Sequence, residues 1–220
     1  MLTRVKKVLL FTVTACPMGR SMNTVMEEVR HAMPQLVYEV VYADLQPDIT
    51  NRYHVRKNPT TMMLNGMDEE LFRIEEFTET DDMIRIIQRT EAGKLVAEKR
   101  DTTSGGSMEE YVVYLLEDGE LTPVRVTYEN KVSIKSPRIT AIRCLLKGEE
   151  GYEAPFPPAS ELLQVRFDGK AGEVFVRVRS SESESDPKMM REALLHTLSP
   201  FGIQQVHLHL VQGNTEETFD

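Results

Sequence analysis

The chain has no tryptophan and only two cysteines in 220 residues, Cys16 and Cys144, which lie far apart in different halves. Two such cysteines build neither a disulfide framework nor a zinc-ligand spacing, and they suit a reducing compartment. No apolar run approaches the ~18 residues of a membrane span. Positive charge is also scarce: 26 Lys and Arg against 35 Asp and Glu give a formal net charge of −9. A nucleic-acid or anionic-membrane surface needs clustered cations to replace condensed counterions, so neither partner is expected. A glycine-rich phosphate loop and a paired-carboxylate motif are missing too, and no metal or cofactor is expected. The remainder, 40% hydrophobic and 28% charged, is the composition of an ordinary globular protein with room for two modest domains.

The organising stretch is Val8-Leu-Leu-Phe-Thr-Val-Thr-Ala-Cys16-Pro-Met-Gly19, a β-branched apolar run that delivers a cysteine onto Pro17 and then a helical pattern. Proline suits the first helical position. Cys16 is therefore expected at a helix N-terminus, where free amides and the positive dipole end favour a thiolate and make it a candidate nucleophile. A free cysteine is also commonly a small buried hydrophobe, and both readings stand at this point.

Arg4, Lys6 and Lys7, followed by Val8 to Val13 and Val-Thr-Ala-Cys16, also resemble a short secretory signal ending in a lipoprotein cleavage box. Against this, the apolar stretch is at or below the ~7-residue floor for such a signal. Met18, Met22, Val25, Met26, Val29, Ala32 and Met33 then recur at helical spacing, and this helix would lose its partner strand if the first fifteen residues were removed. A cytoplasmic, unprocessed chain is expected, with a lipoprotein anchored through Cys16 as the alternative.

After the helix, Val37 to Ala43 reads as a strand and Asp44 to Tyr53 as a turn with a short helix. Asn58 to Gly66 reads as a strand opened by Pro59 and closed by the hairpin signal Asn65-Gly66, with Glu70 to Phe77 as its partner. Asp81 is expected to cap a last helix bearing Met83, Ile84, Ile86 and Ile87. The order β-α-β-α-β-β-α, with Thr14-Ala-Cys-Pro-Met-Gly-Arg20 after the first strand, resembles a minimal thioredoxin-fold domain over about Val5 to Thr90.

That resemblance implies an attacking thiol at Cys16, the closing basic residue at Arg20 and a cis proline at Pro59. It also sets the backbone of Asn58 opposite Cys16, open to an extended partner segment. It implies departures as well: Gly19 stands at the resolving cysteine, Ala15 at the tryptophan and Leu10 at the buried acid. A mixed disulfide cannot be cleared by Gly19. Gly19→Cys is expected to raise dithiol activity if the rest of the site is intact. The site residues expected are Cys16 as candidate nucleophile, with Ala15, Pro17, Met18, Gly19, Arg20, Asn58 and Pro59 around a bound partner.

Residues 94–108 read as a linker after a domain over 1–93. A second domain over 109–213 follows, with 214–220 as a polar tail. Its pattern is a hairpin turning at Asp118-Gly119, a helix from Ser136-Pro137 to Gly148, a hairpin turning at Asp168-Gly169, an acidic serine-rich loop over 180–186, a helix from Pro187 and a last strand Ile203 to Val211. Glu117-Asp-Gly, Cys144-Leu-Leu-Lys-Gly148, Phe156-Pro-Pro-Ala-Ser-Glu-Leu-Leu163 and Val206-His-Leu-His-Leu-Val-Gln-Gly213, in this order, resemble a GerMN-type domain of sporulation and germination proteins. The resemblance implies a small mixed α/β binding module without catalytic residues.

Cys144 is expected to be a buried structural thiol, and His207 and His209 to share an exposed polar face rather than ligate a metal. The fold class expected is α/β and α+β, a thioredoxin-like domain followed by a GerMN-like one. Two functions remain. The first is a non-dithiol interaction protein; the second is a monothiol redox protein in which Cys16 forms a mixed disulfide with a protein or low-molecular-weight thiol partner.

Overall fold

A computed structural model describes residues 4–97, 106–178, 186–212 and 215–219. Most of the serine-rich loop over 180–186 and much of the linker over 94–108 lie outside the described residues. The chain divides into two compact units, Met1–Ser107 with Lys131–Lys135, and Met108–Asn130 with Ser136–Asp220.

The first unit runs β1 (Lys7–Thr12), α1 (Pro17–Ala32), β2 (Val37–Tyr42), α2 (Pro47–Arg52), β3 (Thr60–Leu64), β4 (Glu70–Ile74) and α3 (Thr80–Glu91). Its sheet has the order β2-β1-β3-β4, with β1 parallel to β2 and antiparallel to β3. β1 is therefore interior, and its unbroken apolar run follows from burial on both faces. Val8 and Leu10 face a core shared with Met22, Val25, Met26 and Val29 of α1 and Met83 and Ile87 of α3. Phe11 alternates to the opposite face, where it meets Tyr53 edge-on at 5.9 Å. Strand order and helix placement give the thioredoxin-like architecture expected from the sequence.

Two local expectations change. The hairpin at Asn65-Gly66 is present, but five residues separate β3 from β4 and the left-handed residue is Asp68, at φ 58°. The Asn65 side chain organises this loop by accepting from the amides of Met67 and Glu69 at 2.8 and 3.0 Å, which a two-residue turn would not allow. α3 begins at Thr80 after Glu79, so Asp81 lies inside the first turn, where its charge still suits the dipole.

The second unit contains β5 (Ser107–Glu117), β6 (Glu120–Asn130), α4 (Pro137–Lys147), β7 (Glu161–Asp168), β8 (Ala171–Arg177), α5 (Pro187–Leu198), β9 (Gln205–Gln212) and β10 (Thr215–Phe219). β5 and β6 form a two-stranded ribbon closed by Asp118 and Gly119, both at positive φ, and the exposed Pro123 is accommodated because no further strand pairs there among the described residues. The other sheet has the order β10-β9-β8-β7, with β8 and β9 parallel across α5.

The expectation that Ile203 to Val211 is the last strand is corrected by β10, which lies within the polar tail and pairs antiparallel with β9. β9 would otherwise offer an unpaired edge, and the tail satisfies those backbone groups despite its polar composition. The histidine face is corrected for a related reason. His207 and His209 alternate with buried Val206, Leu208 and Leu210 as expected, but both are half-buried. His209 stacks on Phe175 at 4.1 Å, and its Nδ1 lies 3.0 Å from Thr218 Oγ1 on β10.

Candidate functional site

The site lies where the parallel strands β1 and β2 end. Ala43 N donates to the Thr12 carbonyl at 2.7 Å. Asp44 then takes Thr14 with both carboxylate oxygens, accepting from its amide at 2.9 Å and its hydroxyl at 2.6 Å. The chain reverses immediately afterwards, with Cys16 N donating to the Val13 carbonyl at 3.1 Å and Ala15 at φ 65°. A left-handed alanine costs of order 1–2 kcal/mol. The carboxylate brace on Thr14 offsets that cost, and the turn sets Cys16 at the N-cap of α1, with Pro17 at the first helical position.

Cys16 is half-buried and unpaired. Opposite it is the cis peptide Asn58–Pro59 at the entry to β3. The Asn58 side chain reaches the cysteine: Nδ2 donates to Sγ at 3.3 Å. Asn58 Oδ1 in turn accepts from the Thr12 hydroxyl at 3.0 Å. Thr12, itself buried, is thus joined to the sulfur through one amide.

Arg73 on β4 fixes the loop that delivers Asn58. Its guanidinium is almost wholly buried, forms an ion pair with Glu70, and donates to the carbonyls of Tyr53 at 2.8 Å and His54 at 3.5 Å. Planar forked donors suit this task better than a point charge.

The remaining expected residues are placed as follows. Pro59 is buried, Pro17 and Arg20 are half-buried, and Arg20 N donates to the Cys16 carbonyl at 3.2 Å. Met18 is 50% exposed beside the thiol, whereas Met22 and Met26 of the same helix are core. Gly19 is buried, and an added Cβ would stand 1.8 Å from Thr12 Oγ1 and 2.7 Å from Thr12 Cβ. A cysteine at position 19 would therefore have to displace the Thr12 side chain, which occupies that space.

Thr12, Asp44 and Arg73 escaped the sequence reading. Thr12 lay within an apolar strand, and Asp44 looked like a loop residue. Its position directly after a strand parallel to β1 was the signal available. Cys144 is separate from this chemistry: it is buried on α4, and desolvation pushes its thiol up.

The comparisons with known proteins fall on the two units separately. Residues 112–217 match the Germane family model, described as sporulation and spore germination. The chain is similar to thioredoxin-2 of the malaria parasite, a component of its protein secretion machinery, at 22% identity over 40% of this chain and 85% of that one, with a TM-score of 0.37. It is similar to mitochondrial thioredoxin 3 of Saccharomyces cerevisiae at 20% identity over 40% and 80%, with a TM-score of 0.35. The thioredoxin of Fasciola hepatica is similar at 18% identity over 40% and 83%, with a TM-score of 0.36. No curated protein matches the chain. The thioredoxin-like architecture of the first unit stands on its own strand order and on α1 following β1.

Proposed function

We propose that the chain is a non-dithiol interaction protein in which a redox-degenerate thioredoxin-like unit and a Germane unit each bind a partner in spore formation or germination. The observation that carries this reading is the Thr12–Gly19 packing, which leaves no room for a second thiol at the motif position where a mixed disulfide would be resolved. Exposed Met18 and half-buried Cys16 and Asn58, with the cis peptide at Pro59 behind them, then serve as a surface for a partner segment. A cytoplasmic location is proposed with it, because processing at Cys16 would remove β1, the strand on which both neighbours pair.

The amide donated to Cys16 Sγ supports a second reading, monothiol exchange. In that reaction the Cys16 sulfur attacks one sulfur of a low-molecular-weight disulfide, the Cys16 proton passes to water, and the other sulfur leaves as a thiolate. An external thiol then attacks the mixed disulfide, regenerating Cys16 and carrying away the oxidised sulfur pair.

Turnover of a glutathione mixed disulfide by the full chain, with reduced glutathione as co-reactant, separates the two. The interaction reading expects Cys16 to be modified stoichiometrically without turnover. Sustained turnover that disappears in Cys16→Ser overturns it in favour of monothiol exchange.

A further inference from the structure

One buried side chain, Thr12, has two roles in the geometry above. It occupies the volume that any side chain at position 19 would require. Its hydroxyl also donates to Asn58 Oδ1, which turns the amide so that the N–H end, not the oxygen, meets the sulfur. We propose that Thr12 and Asn58 are positioning residues for Cys16, the Thr12 hydroxyl fixing the Asn58 amide and the amide N–H stabilising the charge left on sulfur when its proton departs.

A neutral N–H binds an anionic acceptor more strongly than a neutral one, so the contact at 3.3 Å strengthens on ionisation. The inference deepens the proposed reading of the Cys16 edge. It rests on that reading for the use of the thiol and not for its reactivity.

Alkylation of the full chain by iodoacetamide, followed by mass across pH, tests it; the C–S bond forms as iodide leaves and the thiol proton passes to solvent. Asn58→Asp keeps an acceptor for Thr12 but sets a carboxylate oxygen against sulfur. Thr12→Val keeps the shape of the side chain and removes the hydroxyl. Arg20 on α1, Asp44 after β2 and His54, Arg56 and Lys57 ahead of Asn58, charged or titratable residues of the segments around the site, are unchanged in both.

The pH midpoint of Cys16 alkylation is expected to rise by about one unit in Asn58→Asp, and in the same direction by less in Thr12→Val. An unchanged midpoint in both folded variants overturns the inference. If Asn58→Asp does not fold, Thr12→Val decides alone. Midpoints that move while partner binding and disulfide turnover are both absent uphold the inference and overturn the proposed function.

Discussion

Gly19 and Thr12 interlock: the helix residue has no side chain, and the strand residue fills the space, 1.8 Å from where a Cβ would stand. Exchanging Gly for Ala inside a helix ordinarily stabilises by about 1 kcal/mol. Here the sign is expected to reverse, with Gly19→Ala losing about 1–3 kcal/mol to overpacking. Urea denaturation of the single variants and of the Thr12→Ala/Gly19→Ala pair checks this, because the double variant is expected to recover most of the loss.

The same interlock governs attempts to install a dithiol. Gly19→Cys alone is expected to leave insulin reduction, assayed with dithiothreitol, at the level of the parent chain. Turnover is expected only when Thr12→Ala makes room for the new sulfur. A fully active Gly19→Cys single variant would show that Thr12 moves aside freely.

The two cysteines are expected to label very differently. In the native chain iodoacetamide modifies Cys16 and spares Cys144, which reacts only after denaturant opens its core, because its thiol is buried and pushed up by desolvation. The raised value has a stability consequence. The contribution of the neutral buried thiol is fully present below pH 9.0 and is lost as pH climbs towards the raised folded-state value. Cys144→Ala is expected to flatten that part of the alkaline loss in urea titrations at successive pH values.

Arg73→Ala is expected to cost about 1.5–3 kcal/mol, since two carbonyls lose a buried charged donor while the partly exposed Glu70 carboxylate regains water. Arg73→Lys is expected to recover little of this, lacking the fork. Chemical denaturation measures both, and a near-neutral Arg73→Ala would remove the guanidinium as the brace of the Asn58 loop.

A chain beginning at Cys16 is expected not to fold, as circular dichroism and denaturant titration would show. It lacks β1, whose Val8, Leu10 and Phe11 are fully buried. Intact mass of the protein from its source cells is expected to retain Val8 to Thr14. A diacylated Cys16 N-terminus would overturn the cytoplasmic proposal.

Periodicity made the elements of both units legible, because Met22, Met26 and Val29 recur with a helical period and Val206, Leu208 and Leu210 with a strand period. β10 was hidden because a polar strand completing an edge carries no apolar signal. The site was partly legible. Cys16 and Pro17 declare a helix start, and Pro59 fits a known architecture. The link from Thr12 through Asn58 to Cys16 joins residues up to 46 positions apart through hydrogen bonds, which no local pattern records.

The bidentate hold of Asp44 on Thr14 extends this point to the sheet itself. Thr12 is paired with Tyr42, and Asp44 stands two residues beyond Tyr42. A one-residue slip of β2 along β1 would turn that carboxylate to the other side of the sheet and leave the left-handed turn at Ala15 without its brace. The turn that carries the thiol therefore depends on the alignment of two strands, and an insertion or deletion that shifted the end of β2 against β1 would part Asp44 from Thr14 without altering a single residue of the Cys16 loop.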